Sequence, residues 1–377
     1  MTVSPLPVEM VIQSDQLDVS VRGIAGSSAI AMDTESNSYD HYPEQLCLIQ
    51  IATRHKIHII DTISLKEIIP LKEVLLDESI RKVIHGADYD IRSLDRHYGF
   101  RIRNLYDTSI AARFAGIAQV SLAALIKDIL GVTIPKSKRL QRTNWGRRPL
   151  SADALDYAAS DVRYLLALKE TLDQRLHALG RTEWVAEECA RLEEVRYMKP
   201  DLDSAYLSIK GAKTMDGSSR AILKSLFLFR EKEARRQHRP PFFVIPDSAL
   251  VSLATNPVAT LSEIPGIGQT GLHRFGQGLR QALSDGQSAP PIRRPPHITT
   301  KSPSQKQNLR LSSLKAWRAS LGVTLSLDPS LLWPKASMER LARAPETLNA
   351  EIDSSNIRRW QRDHIASSIR THMESLK

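Results

Sequence analysis

Four carboxylates in the first half of this chain have the types and contexts that do chemistry: Asp33, Glu35, Asp90 and Asp161. Asp33-Thr34-Glu35 ends the apolar run Ser28–Met32. Asp90 closes the segment His85-Gly86-Ala87-Asp88-Tyr89-Asp90, and Asp161 closes Tyr157-Ala158-Ala159-Ser160-Asp161. A cluster of acids without matching bases is what two hard divalent cations need. A core does not bury such a cluster without metal or partners. Two metals roughly 4 Å apart clamp the attacking and leaving oxygens of an in-line displacement, so the pattern points to metal-assisted phosphodiester hydrolysis. Four carboxylates offset four positive charges, and the Tyr157 hydroxyl is placed to hold the attacking water.

The elements that must position these groups follow from hydrophobic periodicity. Ser28–Met32, Leu46–Ala52, Lys56–Ile60 and Lys82–His85 read as strands. Leu65–Leu76, Ile91–Tyr98, Leu122–Leu130 and Ala152–Leu179 read as helices. Thr53-Arg54-His55 is short enough for a hairpin, and the fourth strand follows a helix, which implies a crossover. The expectation is an α/β domain, a mixed sheet flanked by helices. Asp33 and Glu35, two apart on a strand, share one face. Tyr157 and Asp161, four apart on a helix, stand one above the other. Asp90 sits near a helix start just after a strand, so three element ends can converge on one pocket.

Taken singly, each residue has a plainer reading. Asp-x-Glu is commonly a solvated strand end, Asp161 a helix-surface acid and Tyr157 a core aromatic. Asp88 and Asp107 are acids of the same kind with local work to do, Asp88 as a helix cap. A histidine closing an apolar strand, like His85, is more often structural than catalytic. The specificity lies in the order and context of the set.

The whole chain narrows the class. Its 377 residues allow two or three domains, and 42% hydrophobic residues suit buried cores. A net charge of +10 favours an acidic partner. Only Cys47 and Cys189 are present, without metal-ligand spacing, which argues against a disulfide framework and a zinc site. Residues 1–13 lack the pattern of a signal peptide, and no run of 18 apolar residues occurs. A reducing, cytoplasmic setting without a membrane span is expected.

Strand signals stop after Tyr197. Residues of about 210–285 are helical in pattern and contain the turn Pro265-Gly266-Ile267-Gly268; a proline-rich linker follows over 286–308, and helical pattern resumes near Leu309. The two helical segments are related. An offset of 88 superposes Ser225 on Ser313, Leu226 on Leu314, Arg230 on Arg318, Pro246 on Pro334, Leu253 on Leu341, Ala254 on Ala342, Pro257 on Pro345, Glu263 on Glu351 and Ile264 on Ile352. Phe229 meets Trp317 in the same register. A duplicated all-α module is the expectation.

The carboxylate set resembles the three exonuclease motifs of the DEDD superfamily in its tyrosine-bearing branch, and its wording is similar to the ribonuclease D family. Met32-Asp33-Thr34-Glu35, Tyr42-Pro43, Leu48-Ile49-Gln50, His85-Gly86-Ala87 with Asp90, and Tyr157-Ala158-Ala159 with Asp161 carry the resemblance. It extends over nearly the whole chain, because 210–285 looks like an HRDC domain and 309–377 like a divergent second one. The resemblance implies a ribonuclease H-like exonuclease domain over residues 1–200, followed by two all-α HRDC-like domains. It further implies 3′→5′ exoribonuclease activity releasing nucleoside 5′-monophosphates. The residues matching Asp33, Glu35, Asp90 and Asp161 would hold two Mg²⁺ or Mn²⁺ ions, and the one matching Tyr157 would position the water. The implied substrates are tRNA precursors and other structured RNAs with single-stranded 3′ ends, handled by a monomer without a nucleotide cofactor. One departure is Asn144, where the family usually has an acid before the tryptophan.

For holding RNA, the segment Lys136–Arg148 carries six basic residues and no acid. Lys138, Arg139, Gln141, Arg142, Trp145, Arg147 and Arg148 are the candidates there, with Trp145 expected to stack a base. In the first helical segment, Arg230, Lys232, Arg235, Arg236 and Arg239 form either a phosphate-binding face or an ordinary charged surface; Arg235 and Arg236 are the candidates taken. The Pro265–Gly268 turn can present N–H groups to phosphate or serve as a structural turn. A DNA 3′→5′ exonuclease and a non-catalytic RNA-binding scaffold are the competing readings.

Overall fold

The computed structural model describes residues 6–65, 67–134, 137–293 and 302–376. Lys136 and residues 294–301 of the proline-rich linker, including Pro295 and Pro296, lie outside the described residues.

The four long apolar runs become the centre of a six-stranded sheet of order β1-β4-β3-β2-β5-β6. These are β1 (Val8–Val11), β2 (Ala29–Ser36), β3 (Leu46–Ala52), β4 (Ile57–Asp61), β5 (Arg81–Ile84) and β6 (Leu105–Asp107). The β2–β3 and β3–β4 pairings are antiparallel, while β1–β4, β2–β5 and β5–β6 are parallel. β3 and β4 are buried along their whole length, which is why they read as continuous apolar runs. Helices cover both faces: α1 (Ser14–Ala25), α2 (Pro70–Leu76), α3 (Asp88–Tyr98), α4 (Thr108–Phe114), α5 (Leu122–Leu130), α6 (Lys138–Gln141), α7 (Ala152–Arg163), α8 (Leu165–Ala178) and α9 (Thr182–Glu193).

Three details differ from the sequence reading. The strand expected over Ser28–Met32 spans Ala29–Ser36, carrying Asp33 and Glu35 in its second half. The helix expected over Ala152–Leu179 breaks at Tyr164 into α7 and α8. The helix expected from Leu65 begins at Pro70, as the fixed φ of proline favours at a first helical position.

After α10 (Leu202–Ala205) come two helical modules. The first comprises α11 (Gly217–Gln237), α12 (Pro241–Val244), α13 (Asp247–Thr255) and α14 (Gly268–Ser288). The second comprises α15 (Gln305–Leu325), α16 (Pro329–Leu332), α17 (Lys335–Arg343), α18 (Leu348–Ile352) and α19 (Arg359–Glu374). The offset of 88 holds element for element: α11, α12 and α13 map onto α15, α16 and α17 without a residue of slippage. His238 and Ser326 both close their helices in the left-handed conformation, with φ of 52° and 49°. Arg230 Nη1 donates to the Ile245 carbonyl at 3.0 Å, and Arg318 Nη1 donates to the Trp333 carbonyl at 2.9 Å. Arg230 is therefore an internal brace, bonded also to Asp247, and not part of a phosphate-binding face. Gly266 (φ 95°) packs so closely that a Cβ there would sit 2.5 Å from Pro246 Cγ. That contact makes the Pro265–Gly268 turn structural.

The modules attach differently. The second shares one apolar core with the sheet domain, while the first has a core of its own. Trp360 of α19 stacks on Trp184 of α9 at 4.7 Å and meets Phe114 edge-on at 5.3 Å. Glu187 accepts from the backbone N–H groups of Arg359 (2.7 Å) and Trp360 (3.0 Å), so a carboxylate from α9 caps α19. Among the described residues no helix is long and apolar enough to cross a membrane. Cys47 and Cys189 are buried free thiols.

Candidate active site

β5 pairs with β2 only through Ala29–Ala31 and ends at Ile84. Beyond that point β2 has no strand neighbour on the β5 side. Asp33 and Glu35 lie there, in a stretch of β2 still paired to β3 through Gln50 and Leu48. The first turn of α3 carries Asp90, and α7 packs across β2, β3 and β4 to bring Tyr157 and Asp161 over the same place.

Carboxylate oxygens of Asp33, Glu35 and Asp161 lie within 4.8 Å of one another. Asp90 is buried beside them and accepts a 2.5 Å hydrogen bond from Thr34 Oγ1. Burial first, and then Asp161, pushes Asp33 up to about 8. Burial and the Asp33 charge push Glu35 up to about 10. Burial pushes Asp161 up to about 7, and burial with Asp33 holds Asp90 well above its ordinary value. Burial leads all four shifts, and repulsion from neighbouring carboxylates adds to those of Asp33, Glu35 and Asp90. Divalent cations relieve that repulsion, and an all-oxygen donor set suits hard ions such as Mg²⁺ or Mn²⁺. The residues present fit such a centre.

Asp107 does more than local capping. Its carboxylate accepts from Ser109 N (2.8 Å) and Ile110 N (3.2 Å) at the start of α4. It also accepts from Gly86 N (3.1 Å) and Ala87 N (2.8 Å) in the turn that delivers Asp90. One buried acid thus staples two helix starts, a role its sequence context gave no sign of. Asp88 is the first residue of α3, pairing with Arg92 at 2.8 Å instead of capping the helix. His85 Nδ1 lies 2.9 Å from Thr108 Oγ1, and burial lowers its pKa, as befits a structural histidine.

The basic segment is tied to the site more tightly than its composition suggests. Two of its candidates need correction. Trp145 is 1% exposed, with its ring 6.2 Å from that of Tyr157, so it braces the tyrosine and has no face free for a base. Arg148 forks onto Asp61, with Nε and Nη2 each at 2.6 Å. Its remaining donors reach the carbonyls of Trp145, Arg147 and Cys47. This guanidinium pins the loop to the ends of β3 and β4, leaving nothing for a phosphate. Lys138, Arg139, Gln141, Arg142 and Arg147 are exposed. Gln141 lies beside Tyr157, and Arg139 faces Asp153 at 3.5 Å. In the first module Arg235 lies over the Tyr42 ring at 5.2 Å, and Arg236 pairs with Glu233 at 2.7 Å. Asn144 is exposed and accepts from Gly146 N at 3.1 Å.

With this geometry in view, the similarities to known proteins are specific. A family model for 3′-5′ exonucleases matches residues 8–177, and one for the HRDC domain matches 219–283. A ribonuclease D of Desulfotalea psychrophila is 30% identical over 318 residues, covering 83% of this chain and 84% of that protein. A ribonuclease D of Granulibacter bethesdensis is 28% identical over 361 residues, covering 94% and 89%. The crystal structure of Escherichia coli RNase D, described as an exoribonuclease involved in structured RNA processing, superposes with a TM-score of 0.74. It is 23% identical and covers 98% of this chain and 99% of that one, so it shares the fold from end to end. The chain belongs to the ribonuclease D family of 3′→5′ exoribonucleases.

Proposed function

We propose that this protein trims structured RNAs, tRNA precursors among them, from single-stranded 3′ ends in the cytoplasm. It would act as a monomer and release nucleoside 5′-monophosphates with the help of two divalent cations. The observation that carries the reading is the cluster of Asp33, Glu35 and Asp161 carboxylates, with Asp90 buried beside them, next to Tyr157. Asp33, Glu35, Asp90 and Asp161 would hold the cations. When bound, the ions supply positive charge to the attacking and leaving oxygens and lower the pKa of a water.

The chain's own groups do the rest. Burial, and then the Asp161 charge, raises the Tyr157 hydroxyl above its ordinary value. A phenol is protonated at physiological pH, and its role is to orient the water by a hydrogen bond, not to remove a proton. Trp145, whose ring packs against that of Tyr157, holds the phenol in place. The exposed cations of the 138–147 loop face the phosphates upstream of the scissile bond.

Tyr157→Phe is the test of this assignment. Single-turnover RNA cleavage should slow by about 10²-fold, the lower end of what a positioned proton-handling group contributes. The metal concentration giving half-maximal rate should move much less than the rate itself. An unchanged rate removes Tyr157 from the mechanism.

A further inference from the structure

The seam between the sheet domain and the first helical module is open, unlike the seam made by the second. Where Trp184 and Trp360 meet, both rings are buried. Where Tyr39, in the loop after β2, meets Phe242 and Phe243 of α12, all three rings stay 48%, 50% and 43% exposed. They nevertheless form one cluster. Tyr39 lies 5.9 Å from Phe242 and 5.6 Å from Phe243, and the two phenylalanines are 4.5 Å apart. An aromatic cluster that only joined two domains would turn its faces inward.

Two cations border it. The Arg142 guanidinium lies 5.9 Å over Tyr39, and that of Arg239 lies 5.5 Å over Phe243. Neither has a carboxylate partner among the described residues. Half-exposed π-faces interleaved with unpaired arginines match single-stranded nucleic acid, whose bases stack while its phosphates seek cations.

The cluster is also continuous with the candidate active site. Tyr39 follows Glu35 by four residues, and Arg142 follows Gln141, whose side chain lies beside Tyr157. We propose that Tyr39, Phe242 and Phe243, flanked by Arg142 and Arg239, form a stacking platform. It would hold unpaired bases of the RNA strand 5′ of the nucleotide being removed. The platform rests on the exoribonuclease reading and adds to it a length dependence: RNA long enough to reach from the carboxylates to the first module gains affinity that a dinucleotide does not.

The experiment measures binding of fluorescent two- and eight-nucleotide oligoadenylates in EDTA, which stops turnover. Wild-type protein should bind the octamer more tightly. The Tyr39→Leu/Phe242→Leu variant keeps apolar bulk at the seam but loses the π-faces. Its octamer affinity should fall at least about tenfold, with little left of the gain over the dinucleotide. A Tyr39→Phe/Phe242→Tyr variant should retain the gain. If the leucine variant keeps the wild-type length dependence, or if both lengths weaken equally, the platform is wrong. If wild-type protein binds neither RNA, the exoribonuclease reading itself fails.

Discussion

Asp33→Asn should lower RNA cleavage by about 10³-fold or more while RNA binding survives. The loss follows from taking one oxygen ligand and one charge from the group that would hold both cations. Their charge on the reacting oxygens is worth several kcal/mol, and each 1.4 kcal/mol is a factor of ten. Binding survives because the exposed cations of the 138–147 loop and the aromatic seam are untouched. The same variant should be more stable than wild type when metal is absent. Asp33 has its folded-state pKa raised to about 8 from an ordinary 3.8, so the native protein binds more protons than the unfolded chain across that window. Wild-type stability therefore falls as pH rises through it. Asparagine does not titrate. In EDTA at about pH 9 the variant should melt at the higher temperature, and the gap should close toward pH 4. Strong activity in Asp33→Asn would sink the metal assignment, and a lower melting point at high pH would sink the account of charge repulsion.

Trp360→Ala should cost about 3–5 kcal/mol, the range for removing a buried tryptophan. Its ring stacks on Trp184 and meets Phe114, and its Nε1 donates to Glu188 at 3.1 Å. Its backbone N–H is one of the two capped by Glu187. Because the second module shares its core with the sheet domain, the loss should appear as a lower melting temperature for both, followed by circular dichroism and calorimetry. Trp360→Phe, which keeps a ring in the stack, should lose far less. A loss under about 1 kcal/mol for the alanine variant would mean the seam contributes little to holding the module in place.

The central strands were legible because their residues are buried on both faces and leave long apolar runs, as in Leu46–Ala52. The edge strands β1 and β6 were not. They are four and three residues long, too short to leave a periodic signal. The start of α15 could have been found: Ser304 and Gln307 form a capping box ahead of the apolar pattern. The duplicated module was legible in the 88-residue register, whereas its docking was not. Trp184 and Trp360 are ordinary aromatics until the fold brings them together. Arg148 was misread for the same reason, since its partner Asp61 lies far away in sequence. Trp145 resembled a stacking residue only while its neighbour Tyr157 was unknown. The candidate carboxylates stood out by context, and the fold brings Asp33, Glu35 and Asp161 together with Asp90 beside them. The staple made by Asp107 is visible only in three dimensions.

The most direct measurement uses a 5′-labelled RNA with a single-stranded 3′ tail and its DNA twin, incubated with Mg²⁺, Mn²⁺ or EDTA. A ladder shortening from the 3′ end of the RNA, dependent on metal and much weaker on DNA, is the predicted result. No cleavage with either metal while the RNA still binds would contradict the account and leave a binding scaffold, and equal cleavage of the DNA would contradict its assignment to RNA.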